Sequence, residues 1–248
     1  MFFPIWDDQV HNGYKPIFSR LFLIVNILVF LYQAMLSPES FNTFINTFWS
    51  IPAEITSGQD RYTLITNMFL HWGWMHLIGN MAYLYVFGDN IEASIGNTKF
   101  LIFYVLGGIA ASAAHIFFNI WSTIPAVWAS GAIAAVLWAY LAMFPWSKVK
   151  MLYLATMRTI LVPASYFLLI WIGMQVFSGV GNQMSTWWAW GGTARWAHIW
   201  GFVFGRFAGK WFKTYDGINL VLKQKNIITK KTSITDLLSG NKKNSPFG

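Results

Sequence analysis

Four side chains in this sequence are of the types and spacings that covalent serine hydrolysis requires. Ser130 lies in Ala129-Ser130-Gly131-Ala132 at the start of an apolar run. At a helix N-terminus, free backbone N–H groups and the helix dipole favour developing negative charge, so this serine is a candidate nucleophile. His198, in Ala197-His198, is the candidate base, and Gly201, Gly205 and Gly209 follow it. Glycine at every fourth position leaves a smooth groove into which a neighbouring helix can press. The expected neighbour is the Ser130 run, with its small residues Gly131, Ala134 and Ala135. Such close approach would bring a hydroxyl within about 3 Å of an imidazole. His76 and Asn80 are four residues apart, hence on one helical face, and could receive an oxyanion.

Competing hydrolytic designs fail on residue types. A zinc protease helix needs His-Glu-x-x-His, whereas His71 and His76 are separated by four residues with no Glu among them. An aspartyl protease needs two buried aspartates, and Asp89 alone lies near an apolar run. The chain has no cysteine, which removes disulfides, thiolate zinc sites and iron–sulfur clusters.

The elements that must position these groups are apolar. Of 248 residues, 56% are hydrophobic and only 10% charged, against about a quarter charged in a soluble domain. A spanning helix takes about 20 apolar residues. Six runs are expected to cross: Ile17–Leu36, Met75–Gly88, Phe100–Phe118, Ser130–Phe144, Thr159–Phe177 and Trp196–Phe212. The fourth, at about 1.5 Å per residue, reaches only about 22 Å of a core about 30 Å thick. Ser130 should therefore begin a helix inside the membrane, in a protein-lined cavity. Ser37–Tyr62 is polar and too long for a simple connection, so a folded loop at the membrane surface is expected.

Six crossings put both termini on one side. Of the 17 Lys and Arg, only Arg61 and Arg195 fall on the other, so the termini are expected in the cytoplasm. The expected organisation is a cytoplasmic segment 1–16, a membrane domain 17–213 and a basic, disordered cytoplasmic tail 214–248. The net charge of +8 is then topology and tail, not a nucleic-acid surface.

Three separated motifs carry a family resemblance. They are Thr66-Asn67-Met68-Phe69-Leu70-His71 through Trp74, His76, Asn80 and Phe87-Gly88-Asp89-Asn90-Ile91-Glu92; then Ala129-Ser130-Gly131-Ala132-Ile133; then Ala197-His198-x-x-Gly201-x-x-x-Gly205. In this order they resemble the rhomboid intramembrane serine proteases over roughly Ile17 to Phe212. The resemblance implies an all-α membrane protein, a six-helix rhomboid-like bundle in the inner (plasma) membrane. It implies a catalytic dyad of Ser130 and His198, and an oxyanion hole of His76, Asn80 and the Ser130 N–H. Motif positions of structural kind would be His71, Arg61, Glu92, Gly131, Gly201 and Gly205. The implied partners are transmembrane protein substrates and the lipid bilayer, with no metal or cofactor and no nucleic acid.

Two departures stand out. Asp60 occupies the Trp position of a Trp-Arg pair completed by Arg61, and Ala134 stands where many relatives place an aromatic residue that holds the catalytic histidine. A protease-dead rhomboid-like protein that binds membrane clients is the alternative, although such relatives usually lose the serine or the histidine. A transporter would show an internal repeat, and none is evident.

Tryptophan is over-represented, with 15 residues. Trp72, Trp128, Trp138 and Trp200 stand where resembling bacterial rhomboids commonly carry glycine. As true tryptophans they would widen helix spacing, since small-to-large changes in a packed core cost about 1–3 kcal/mol each. Trp138, eight residues after Ser130, would then meet the glycine groove. Restriction to glycine positions weighs against chance. Some bacterial lineages read UGA as glycine, and a table reading UGA as Trp would produce this pattern and the tryptophan excess together. The gene is expected to carry UGA at these four codons and UGG at Trp74, with glycine at all four in peptide mass spectra; UGG at all five overturns the reading.

Overall fold

In the computed structural model, residues 2–8, 14–180 and 198–208 are described, with side chains through residue 174 in the last long helix. Strand β1 (Phe2–Asp7) precedes helix α1 (Phe18–Ala34). The inward face of α1 is Phe22, Asn26, Phe30 and Gln33, whereas Leu21, Ile24, Leu28 and Leu31 point outward and are exposed. An apolar outer face of this kind suits hydrocarbon, not water.

The Ser37–Tyr62 stretch folds into two short helices, α2 (Pro38–Phe48) and α3 (Pro52–Thr56). Ser37 caps α2 by accepting from Ser40 N–H, and Pro38 sits in the first turn, where a missing N–H costs nothing. Helix α4 (Thr63–Thr66) and a 3₁₀ turn (Asn67–Phe69) lead to α5 (Trp74–Tyr83). Helix α5 continues through a π-turn (Leu84–Gly88) into α6 (Asp89–Ile95). Gly96, at φ +87°, makes the break before α7 (Asn97–Phe118), a conformation that favours glycine.

Helix α8 (Ala129–Met143) is the centre of the molecule: every residue except Trp138 and Ala142 is buried. It is short, as its run of apolar residues requires. Strands β2 (Lys148–Tyr153) and β3 (Arg158–Pro163) follow, then helix α9 (Ala164–Val180), and residues 198–208 are helical. Among the described residues, Asn97–Phe118 alone has the length and composition to cross a membrane; Phe18–Ala34, Ala129–Met143 and Ala164–Met174 are shorter apolar helices.

Two expectations need correction. The bundle is not purely helical, because β1, β2 and β3 form an antiparallel sheet in that order. Phe2 pairs with Tyr153 and Asp7 with Val149, so the partners of β1 lie too far along the chain for local patterning to reveal. The fifth apolar run also begins its helix at Ala164 and not at Thr159, since Arg158–Pro163 pairs with β2. Thr159, Ile160 and Val162 are β-branched and suit a strand, which hydropathy alone does not distinguish from a helix start. Part of the sixth run and the tail 214–248 lie outside the described residues.

Buried carboxylates tie the elements together. Asp7 accepts from Asn90 Nδ2 at 2.6 Å and Tyr140 Oη at 2.5 Å, joining β1 to α6 and α8. Helix α1 has no side-chain cap of its own. Glu92 supplies one from α6, accepting from the N–H groups of Ile17 (2.9 Å), Phe18 (2.8 Å) and Ser19 (2.8 Å). A carboxylate at a helix N-terminus satisfies donors that have no intrahelical partner. Glu92→Ala would leave these N–H groups without their acceptor, at about 2–4 kcal/mol. The thermal midpoint in detergent should fall clearly in this variant and by less in Glu92→Gln, which keeps one acceptor oxygen; an unchanged midpoint in both contradicts the tie.

Candidate active site

Helix α8 starts immediately after a loop that is pinned at several points. Ser50 and Ala126 form a two-way bridge, and Trp128 N–H donates to the Asn67 carbonyl at 3.4 Å. Asn67 itself is fully buried and donates to Ser50 Oγ at 3.2 Å. With Trp128 at the N-cap position, Ser130 falls in the first turn of α8, where backbone N–H groups lack intrahelical acceptors. The start of the helix, and hence the hydroxyl, is fixed by this loop.

Residues 198–208 lie against α8 at backbone contact. A methyl group on Gly201 would run into the Gly131 carbonyl oxygen and the Ala134 side chain, and one on Gly205 into the Ala135 carbonyl. Glycine is required at both positions by closeness, not by backbone angle. A methyl on Gly107 of α7 would come within 2.8 Å of Ala135 Cβ and 3.5 Å of the Phe204 ring, so α7 packs closely at the same place. Gly209 lies outside the described residues.

At the end of this contact, His198 Nε2 stands 2.6 Å from Ser130 Oγ, with both side chains buried. That is hydrogen-bond reach between a base and the proton it would accept. Ala134 carries no ring to hold the imidazole. Trp171 of α9 takes that place, its ring 5.7 Å from that of His198 at 43°, and itself packed near Tyr83 and Phe202. Nothing in the sequence singled out Trp171: its run also carries Tyr166, Phe167 and Phe177, and helical spacing does not say which ring turns inward.

Asn80, Tyr83, Ser130, Ile133, Leu137, Trp171 and His198 line one cavity of about 10 Å³. This is room for about one water molecule. Asn80 thus shares a cavity with Ser130 and His198. His76, buried one turn earlier on α5, has its ring against His71 (5.0 Å) and Trp72 (5.7 Å). His71 is fully buried, and its Nε2 lies 3.0 Å from Asn80 Nδ2. Burial lowers the His71 pKa to about 3, outweighing the Phe69 carbonyl that favours the charged ring, so the imidazole is neutral.

The remaining candidates fall away from the cavity. Glu92 caps α1 as described above. Arg61 is exposed. Asp60 has φ +45°, a left-handed conformation that Asp adopts far more readily than Trp, which accounts for its presence there. His115 is buried with its ring 4.7 Å from that of Trp128.

The four tryptophans at glycine-like positions have different surroundings. Trp72 and Trp200 are exposed. Trp128 is fully buried, and Trp138 is half-buried; the indole N–H of each has no hydrogen-bond partner. Trp138 does not lie on the glycine groove as expected. It packs edge-on against Phe202 (3.9 Å) with the Arg206 guanidinium 5.6 Å from its ring, because Gly201 and Gly205 face the small residues of α8 instead. Two unpartnered buried donors are costly, and glycine at these positions would remove both.

The rhomboid domain model matches residues 58–214. The chain belongs to the rhomboid family. It is 31% identical over 135 residues to the rhomboid protease GluP of Bacillus subtilis, covering 54% of this chain and 26% of that protein. It is 32% identical over 88 residues to the mitochondrial RHOMBOID-like protein 6 of Arabidopsis thaliana, covering 36% of this chain and 28% of the relative. To the mitochondrial presenilin-associated rhomboid-like protein A of Danio rerio it is 24% identical over 159 residues, 58% of this chain and 42% of the relative. The chain therefore spans less than half the length of each of these relatives. Family membership makes it a helical membrane protein.

The backbone contact yields a test. Gly201→Ala should force the 198–208 segment off α8, cost about 1–3 kcal/mol, and lengthen the His198–Ser130 contact. If the site hydrolyses peptides, as proposed below, cleavage is expected to fall at least about tenfold. Gly173→Ala, where a methyl meets nothing within 4 Å, serves as control and should leave the rate unchanged. Equal rates in the two variants would show that the glycine contact does not set the site.

Proposed function

We propose that this protein is an intramembrane serine endopeptidase that cleaves transmembrane protein substrates. The observation that carries the reading is the 2.6 Å approach of His198 Nε2 to Ser130 Oγ inside a cavity shared with Asn80. His198 accepts the hydroxyl proton as Ser130 Oγ attacks the scissile carbonyl. The carbonyl oxygen becomes an oxyanion, received by the Ser130 N–H, Asn80 and His76. His198 then returns the proton to the leaving amine, and a water molecule, activated by the same imidazole, hydrolyses the acyl-enzyme.

Trp171 packs beside the His198 ring and helps to hold it. Room for about one water suits the hydrolytic step. A substrate segment needs more room than this cavity offers. The reading includes a six-span membrane domain over residues 17–213, a cytoplasmic segment 1–16 and a basic cytoplasmic tail 214–248. Both termini face the cytoplasm of a plasma membrane, and no cofactor takes part.

A serine-directed fluorophosphonate should label the detergent-solubilised protein, and Ser130→Ala should abolish that labelling. Ser130→Ala and His198→Ala should each remove cleavage of a model transmembrane substrate while the thermal midpoint stays near that of the parent. Parental cleavage by Ser130→Ala would show that the nucleophile is wrongly assigned. Absence of both labelling and cleavage in the parent would favour a client-binding rhomboid-like protein.

A further inference from the structure

We propose that His71 is a positioning residue of the oxyanion site: its neutral imidazole accepts the Asn80 amide through Nε2 and so decides which end of that amide faces the cavity. The inference rests on the protease reading above. An asparagine side chain carries two N–H donors and one carbonyl oxygen, and only the donors stabilise an oxyanion. Turned the other way, the same side chain would present its oxygen to the developing charge and oppose the reaction. Something must therefore hold the amide in one orientation.

The His71–Asn80 contact supplies such a hold. Asn80 Nδ2 lies 3.0 Å from His71 Nε2, and both side chains are buried. One amide hydrogen is engaged by the imidazole, and Asn80 lines the cavity together with Ser130 and His198, so in this proposal the second hydrogen serves the oxyanion. The arrangement requires Nε2 to be an acceptor, hence an unprotonated atom in a ring whose proton sits on Nδ1. His71 itself does not line the cavity. Its part is played wholly through Asn80.

His71 is in turn held from α1. Gln33 Nε2 donates to the His71 carbonyl at 2.5 Å, and the Phe30 ring meets the imidazole edge-on at 6.4 Å and 87°. Gln33 and Asn80 are buried polar residues in mostly apolar helices, and this chain of contacts gives each a partner. A link thus runs from α1 through His71 to Asn80.

The test uses the full-length protein in detergent with a transmembrane substrate. His71→Leu fills much of the volume without an acceptor, whereas His71→Gln offers Oε1 to the Asn80 amide. Each is measured alone and in the Asn80→Ala background. His71→Leu should lower kcat about 10²-fold with KM within about twofold, as expected for an interaction made in the transition state. His71→Gln should recover most of that loss, and His71→Leu should cost nothing further once Asn80 is Ala. Multiplicative losses in the double variant, or no recovery by Gln, would overturn the proposal and leave His71 a packing residue.

A second measurement stands apart from activity and from the folding of the Leu variant. The ¹⁵N shift of His71 Nε2 in the parent should be that of an unprotonated ring nitrogen. A protonated Nε2 would mean that it donates to the Asn80 oxygen, which would also overturn the proposal. Failure of the protease reading would appear differently, as undiminished cleavage by Ser130→Ala.

Discussion

The approach of residues 198–208 to α8 at backbone distance is the constraint on which the site depends. Helices with ordinary side chains between them pack with axes 8–10 Å apart. Here Gly201 and Gly205 leave no side chain at the contact, and α8 answers with Gly131, Ala134 and Ala135. At this separation an imidazole on one element reaches a hydroxyl on the other at 2.6 Å. In hydrocarbon there is no hydrophobic force to drive helices together, so close van der Waals contact between small residues does that work. The same contact both joins these elements and sets the Ser130–His198 distance.

A second consequence of a low-dielectric surrounding is that buried polar groups need partners. The structure meets this with long-range pairs: Glu92 with the first N–H groups of α1, Asp7 with Asn90 and Tyr140, Gln33 with the His71 carbonyl. Each pair joins elements far apart in sequence and so limits how the helices slide. The start of α8 benefits most, since the Asn67–Trp128 and Ser50–Ala126 contacts fix the turn that carries Ser130. Exceptions include the Trp49 indole and the Tyr104 hydroxyl, and among them the indoles of Trp128 and Trp138 form a pair. Both occupy positions at which glycine would be expected.

Much of the site was legible in the residue string because helices encode relations over three to five positions. The His76–Asn80 face, the serine at a helix start, the shortness of α8 and the glycine stripe after His198 are all local patterns. They named the groups and even the surface of α8 that the glycines would meet. The sheet was not legible, because β1 finds its partner β2 more than 140 residues later. The start of α9 was misplaced because an apolar β-branched stretch reads alike as strand or helix until its pairing is known.

By itself, then, the sequence determined a helical membrane chain, the family it resembles and the candidate groups with their positions along each helix. Tertiary structure decided which of them meet: that Trp171, not a neighbour of Ser130, packs on His198, and that Asn80 turns its amide nitrogen to His71. The division follows from geometry. Periodicity specifies the face on which a residue lies relative to its own helix, within a few residues along the chain. The direction in which that face points depends on every other helix in the bundle, through contacts that span 68 residues in the case of Ser130 and His198.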